Sequence, residues 1–201
     1  MTSIDLRPYL VGAANLYGAA PYTFLTGLFA KYGVDFSPEK SLESDPQACG
    51  YRVGKNNLLS VWFDKTASDV LLKTRLNVPF YEPPTMEDLL AFREFPFRHP
   101  SEEYDRLAAY MRTSMSMPQS TVDILSDEMY SIFIKRTPLQ SFFDIMNLGH
   151  IGLTSRQMHD DFLKMFFDVQ RVTRAWIANG HTPRELKAMK AAAASQNQSF
   201  A

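Results

Sequence analysis

The fold class turns on residues 49 to 63, CGYRVGKNNLLSVWF. The stretch alternates, is rich in β-branched and aromatic residues, and carries turn formers from Gly54 to Asn57. That pattern predicts two short strands, near 49–54 and 58–63, paired as a hairpin. Everything before it reads as helix. Residues 5–17 place Leu6, Leu10, Ala13, Ala14 and Tyr17 at helical spacing, with Gly18 as a C-terminal cap. Residues 21–33 carry Tyr22, Leu25, Leu28, Phe29 and Tyr32 on one stripe, and SPEK (37–40) opens a third short helix with Ser37 as N-cap and Pro38 behind it. Helices followed by a hairpin predict a small winged-helix-like module over residues 1–79.

Downstream, NVPFYEPPT (77–85) is punctuated by proline, which keeps each preceding residue extended. The boundary is placed there. Beyond it the pattern predicts helices near 85–94, 101–116, 119–135, 137–148, 155–178 and 182–194, a helical bundle over 80–195, with a frayed tail at 196–201. The fold class expected is therefore mainly α, a helix–β-hairpin module followed by a helical bundle. The strongest period lies in 155–178, where Met158, Phe162, Met165, Val169, Val172 and Trp176 recur every three or four residues.

RAWIANGHTPREL (174–186) then reads as a corner between two helices. Gly180 suits the left-handed position after a helix, and Thr182 with Glu185 forms a capping box around Pro183. This leaves Arg171, Arg174, Asn179, His181, Arg184 and Lys187, with Lys190, unexplained by punctuation. Residues 171–190 hold five basic side chains against one acid. They are the candidate partner- or nucleic-acid-binding residues, set against the plainer reading of a solvated face whose arginines complement a helix C-terminus.

The whole chain is 201 residues with a net charge of −1, 45% hydrophobic and 21% charged, so it can bury a core and carries no global basic footprint. Residues 1–65 hold six basic and six acidic side chains, and SPEKSLESD offers one lysine among three acids, a poor reading helix for DNA. A single cysteine, Cys49, excludes an internal disulfide and a cysteine-built zinc site. The absence of a leader pattern or long apolar run leads to the expectation of a cytoplasmic protein without a membrane span. No Walker loop, dinucleotide fingerprint or Gly-x-Ser-x-Gly elbow is present, so no catalytic residue and no cofactor is expected. His150, His159, Asp160, Asp161 and Asp168 raise a metal-dependent hydrolase, but His159 and Asp160 are adjacent and point about 100° apart on a helix. Phe95 and Phe97 in EFPFRHP (94–100) either plug a gap between helices or, with Arg98 and His99, face a partner.

Two blocks carry a family resemblance. VPFYEPPTMEDLLAFREFPFRHPSEEYDRLAAYM (78–111) and LTSRQMHDDFLKMFFDVQRVTRAWIANGHTPREL (153–186) resemble segments of a group of largely helical bacterial proteins of unassigned function that often end in a cysteine-rich SEC-C zinc motif. LYGAAPYTFLTGLFAKYG (16–33) is similar to that group's opening tyrosine–glycine helix pair. The closing AAAASQNQSFA has no cysteine, so nothing that an SEC-C tail supplies is expected here. The resemblance implies architecture and no catalytic residues. The leading expectation is a non-enzymatic regulatory or adaptor protein with a protein partner; nucleic-acid association through the 171–190 corner comes second, and the hydrolase third.

Overall fold

A computed structural model describes residues 4–42, 49–62, 65–98, 100–149 and 151–198. The protein is mainly helical, with a small antiparallel sheet near the N-terminus. It divides into two compact units, Met1–Phe97 with Trp176–Gly180, and Arg98–Ala175 with His181–Ala201.

In the first unit, α1 (Arg7–Tyr17) buries Leu10, Ala13, Ala14 and Tyr17 of the predicted stripe, whose first member, Leu6, is instead the half-buried N-cap. Gly18 ends it at φ 69°, its amide donating to the Ala14 carbonyl at 2.8 Å. Strand β1 (Ala19–Pro21) follows, then α2 (Tyr22–Lys31) and the short α3 (Pro38–Ser41). The expected hairpin is β2 (Tyr51–Val53) and β3 (Asn57–Ser60), closed by the Gly54 amide on the Asn57 carbonyl at 2.8 Å. The sheet has the order β1-β3-β2, with Ala20 opposite Leu58 on one side and Val53 opposite Leu58 on the other. The third strand went unpredicted, because Ala-Ala-Pro has neither alternation nor β-branched residues.

Helix α4 (Lys65–Thr74) was also not anticipated; among its described side chains only Ser68 and Leu71 are buried, too narrow a face for a clear period. The proline-rich stretch expected to mark the division at residue 80 instead packs within this unit. Tyr17 Oη donates to the Tyr81 carbonyl at 2.7 Å, Tyr32 Oη to that of Pro83 at 2.7 Å, and Phe24 stacks on Phe80 at 4.2 Å. A 3-10 helix (Glu87–Phe92), where an α-helix over 85–94 was expected, lies against α1 at Gly12, where a Cβ would fall 2.1 Å from the Leu89 carbonyl oxygen. Asn15 ties these parts together. Its Nδ2 donates to the carbonyls of Phe92 (3.0 Å) and Arg93 (3.1 Å), and its Oδ1 accepts from Ser60 Oγ at 3.1 Å.

In the second unit, α5 (Glu102–Thr113), α6 (Gln119–Lys135), α7 (Gln140–Leu148), α8 (Arg156–Val172) and α9 (Pro183–Gln198) form the helical part. Phe133, Phe142, Phe162 and Phe166 make an aromatic core, with Phe133 edge-on to Phe166 at 4.7 Å. Ser101 and Ser155 cap α5 and α8 by accepting the Tyr104 and Met158 amides at 3.2 and 3.1 Å.

The helix expected over 155–178 stops at Val172. Thr173 is extended, and Trp176 sits on a separate 3-10 turn (Trp176–Ala178) that belongs to the first unit. The period that carries through Trp176 is therefore coincidental: the indole is buried against other residues, its Nε1 donating to the Asn15 carbonyl and its ring stacked on Phe95 at 5.5 Å. Phe97 is buried too, edge-on to Phe92 at 4.7 Å, which leaves it no part in a partner surface; His99 lies outside the described residues.

Candidate functional site: the basic corner and an apolar groove

The corner at 171–190 carries the left-handed turn and the capping box that its sequence predicts. Asn179 (φ 54°) and Gly180 (φ 82°) both take the left-handed conformation. A Cβ at Gly180 would approach the Tyr17 ring to 3.0 Å, so the position excludes any side chain on two counts. Asn179 is a structural bracket. Its Nδ2 donates to the Val78 carbonyl at 2.6 Å, and its own carbonyl accepts the Tyr81 amide at 2.9 Å, all inside the first unit.

The capping box at the start of α9 is complete. The Glu185 amide donates to Thr182 Oγ1 at 3.1 Å and the Thr182 amide donates to Glu185 Oε2 at 2.9 Å. Arg174, only 8% exposed, adds a two-pronged pair: Nη1 to Oε2 at 3.0 Å and Nη2 to Oε1 at 3.1 Å of the same Glu185. His181 Nδ1 lies 3.4 Å from Glu185 Oε2. Burial alone would raise the Glu185 carboxyl, but the Thr182 amide, Arg174 and His181 together hold it below its ordinary value.

Of the remaining cations, Arg184 pairs with Glu103, whose carboxyl this hydrogen bond lowers, and Arg171 pairs with Asp168 at 3.1 Å while staying 62% exposed. Lys187 and Lys190 point to solvent. A small hollow of about 230 Å³ lies here, walled by Arg174, Arg184, Thr182, Glu103 and Glu185. The sequence thus places a basic cluster correctly, but the fold answers three of its arginines with carboxylates. Asp168 lies three residues from Arg171 and Glu185 eleven from Arg174, whereas Glu103 comes from a helix about eighty residues from Arg184, a pairing that local spacing does not reveal.

The second feature was missed by sequence reasoning. An uncharged groove of about 470 Å³ runs along the second unit between the α5–α6 link, the first half of α6, and the end of α7 with the loop after it. Met115, Met117, Ile124, Leu125, Ile145 and Ile151 supply its apolar wall. Ile124 is 62% exposed and Leu148, at the last turn of α7, 81%. Large aliphatic side chains so exposed beside a concave apolar surface stand out from scattered surface hydrophobics. The signal available in the sequence was the Met-x-Met-Pro run before α6 and Leu148 ahead of Gly149, both readable as ordinary helix ends.

The metal reading finds no site: among the described residues no group of three His, Cys, Asp or Glu side chains is placed to hold an ion. His159 Nδ1 and Asp160 Oδ1 are 3.3 Å apart on an exposed face, and His150 lies outside the described residues. Cys49 is buried. No described helix is long and apolar enough to cross a membrane. In comparisons with known proteins, no family model, no curated protein and no solved structure matches the chain.

Proposed function

We propose that this chain acts by binding another protein, as a non-enzymatic regulatory or adaptor protein of the cytoplasm, and that the groove on its helical unit is the contact surface. The observation that carries the reading is an uncharged groove whose wall includes Ile124, 62% exposed, with Leu148, 81% exposed, next in sequence to the lining Gly149. A soluble chain that leaves such residues beside a concavity gains a hydrophobic anchor point for a partner. On the residue blocks quoted above we also propose kinship with the largely helical bacterial group; the mainly helical architecture agrees with it.

Nucleic-acid association remains the second reading, because Arg171, Arg184, Lys187 and Lys190 present charge to solvent. Against it stands the neutralisation of Arg171, Arg174 and Arg184 by acids, which leaves little net positive field. An affinity capture of the full chain from a bacterial lysate, with and without nuclease, separates the two. The proposal expects a protein that stays bound after nuclease and at moderate salt. Recovery of nucleic acid, with all capture lost on nuclease treatment and steeply weakened by salt, would transfer the function to the corner.

A further inference from the structure

The first unit is not continuous in the chain. Met1–Phe97 is completed by Trp176–Gly180, while the residues from Arg98 to Ala175 belong to the second unit. The short returning segment is held in the first unit from several sides. Trp176, Ala178 and Asn179 are buried, and the indole donates to the Asn15 carbonyl on α1. The Leu76 amide donates to the Ile177 carbonyl at 2.8 Å, and the Tyr81 amide to that of Asn179 at 2.9 Å. Asn179 Nδ2 reaches the Val78 carbonyl at 2.6 Å. The first unit is thus completed by a finger of chain that returns after a long excursion, and closing that excursion costs entropy.

The base of the finger is closed by groups of the second unit. The Ala175 amide donates to the His181 carbonyl at 3.2 Å, and the Arg174 fork on Glu185 ties together the chain on either side. Within the finger the Asn179 amide donates to the Trp176 carbonyl at 3.2 Å, and the left-handed Asn179 and Gly180 turn the chain back. A closed base and a fixed turn leave the finger few other shapes, so little freedom is lost when it packs. We infer that the Arg174–Glu185 pair is a conformational latch, which by holding the base of the finger shut keeps Trp176–Gly180 seated in the first unit. Loosening the latch opens the first unit locally, at residues 76–81 and the end of α1, without unfolding the rest. Arg174 and Glu185 act through the finger and are positioning residues. Whatever draws either side chain away loosens the first unit.

The test is native-state hydrogen exchange of the full chain, read at the Leu76 and Tyr81 amides that the finger's carbonyls hold. Arg174→Leu is compared with two controls. Arg171→Leu removes a neighbouring exposed ion pair, and Val122→Ala takes volume from the core of the second unit at α6 while leaving the fork intact. If Arg174→Leu does not fold, Arg174→Lys, which keeps the charge and loses the fork, takes its place. The inference expects exchange at both amides to quicken by about tenfold in the Arg174 variant and to stay within about twofold of wild type in both controls. Unchanged protection of Leu76 and Tyr81 in the Arg174 variant would overturn it. So would an equal loss of protection in Val122→Ala, because the effect would then follow from the lower stability of the second unit and not from the latch.

Discussion

Replacing Arg174 with leucine tests whether the corner is a structural clasp. Leucine keeps the apolar stem packing and removes the guanidinium. The wild-type group is almost fully buried and makes two charge-assisted hydrogen bonds to Glu185, at 3.0 and 3.1 Å. Removing one partner of a fully buried pair costs about 3–5 kcal/mol. Glu185 is only partly buried, its side chain 36% exposed, and it keeps the Thr182 amide, so water takes over part of what Arg174 supplied. The expected loss is about 2 kcal/mol, the scale of a net hydrogen bond to a charged group. With a urea dependence of about 2 kcal/mol/M, the midpoint of the second unit falls by about 1 M. Arg174→Lys restores the charge but not the fork and should recover about half of this. Arg171→Leu, which removes an exposed i,i+3 pair, should stay within about 0.5 kcal/mol of wild type. An Arg174→Leu protein as stable as Arg171→Leu would refute the clasp and return Arg174 to the set of residues available for ligands.

Three further outcomes follow from the same geometry. Gly12→Ala and Gly27→Ala should move stability in opposite directions in a thermal melt: the first sets a Cβ 2.1 Å from a backbone oxygen, a clash costing about 2 kcal/mol net of the propensity gain, whereas the second has nothing within 4 Å and gains about 1 kcal/mol. Thr182→Ala removes the capping-box hydroxyl and should cost about 1 kcal/mol by urea unfolding, with hydrogen exchange increased in the first turn of α9. Glu185 and Glu103 both titrate below their unfolded values, so their stabilisation is present above the unfolded pKa and is lost as pH falls through the folded one. Unfolding free energy should drop between about pH 5 and pH 3, and Glu185→Gln should flatten that limb.

What the sequence made legible depended on how local the cause was. Helix α6 was found to the residue because Pro118 and the left-handed Arg136 end it within its own neighbourhood. The Thr182–Glu185 box was legible for the same reason, a four-residue motif with a single geometry. The end of α8 was not. Its stripe continues through Trp176, and only the long-range burial of that indole beside Asn15 explains why the chain leaves the helix at Thr173. Strand β1 was invisible because its three residues pair only once β3 is in place. At the candidate site the cluster of cations was readable and two of its acids, Asp168 and Glu185, lie close by in sequence, but Glu103, about eighty residues from the Arg184 it meets, could not be placed by local spacing. The groove escaped because no single element makes it: α6, α7 and the link before α6 each contribute a few residues that read as ordinary helix edges.

The central claim, that the groove and not the corner meets the partner, is tested most directly by site-specific photo-crosslinking. A diazirine amino acid is placed at Leu148 in one protein and at Lys187 in another, both exposed positions of the second unit. Each is irradiated in a bacterial lysate and the adducts are resolved with and without nuclease. The account predicts a discrete nuclease-resistant protein adduct from position 148, lost when Ile124 is changed to Asp in the same chain, and no matching adduct from position 187. Adducts from position 187 alone, whether protein or nucleic acid, would contradict it.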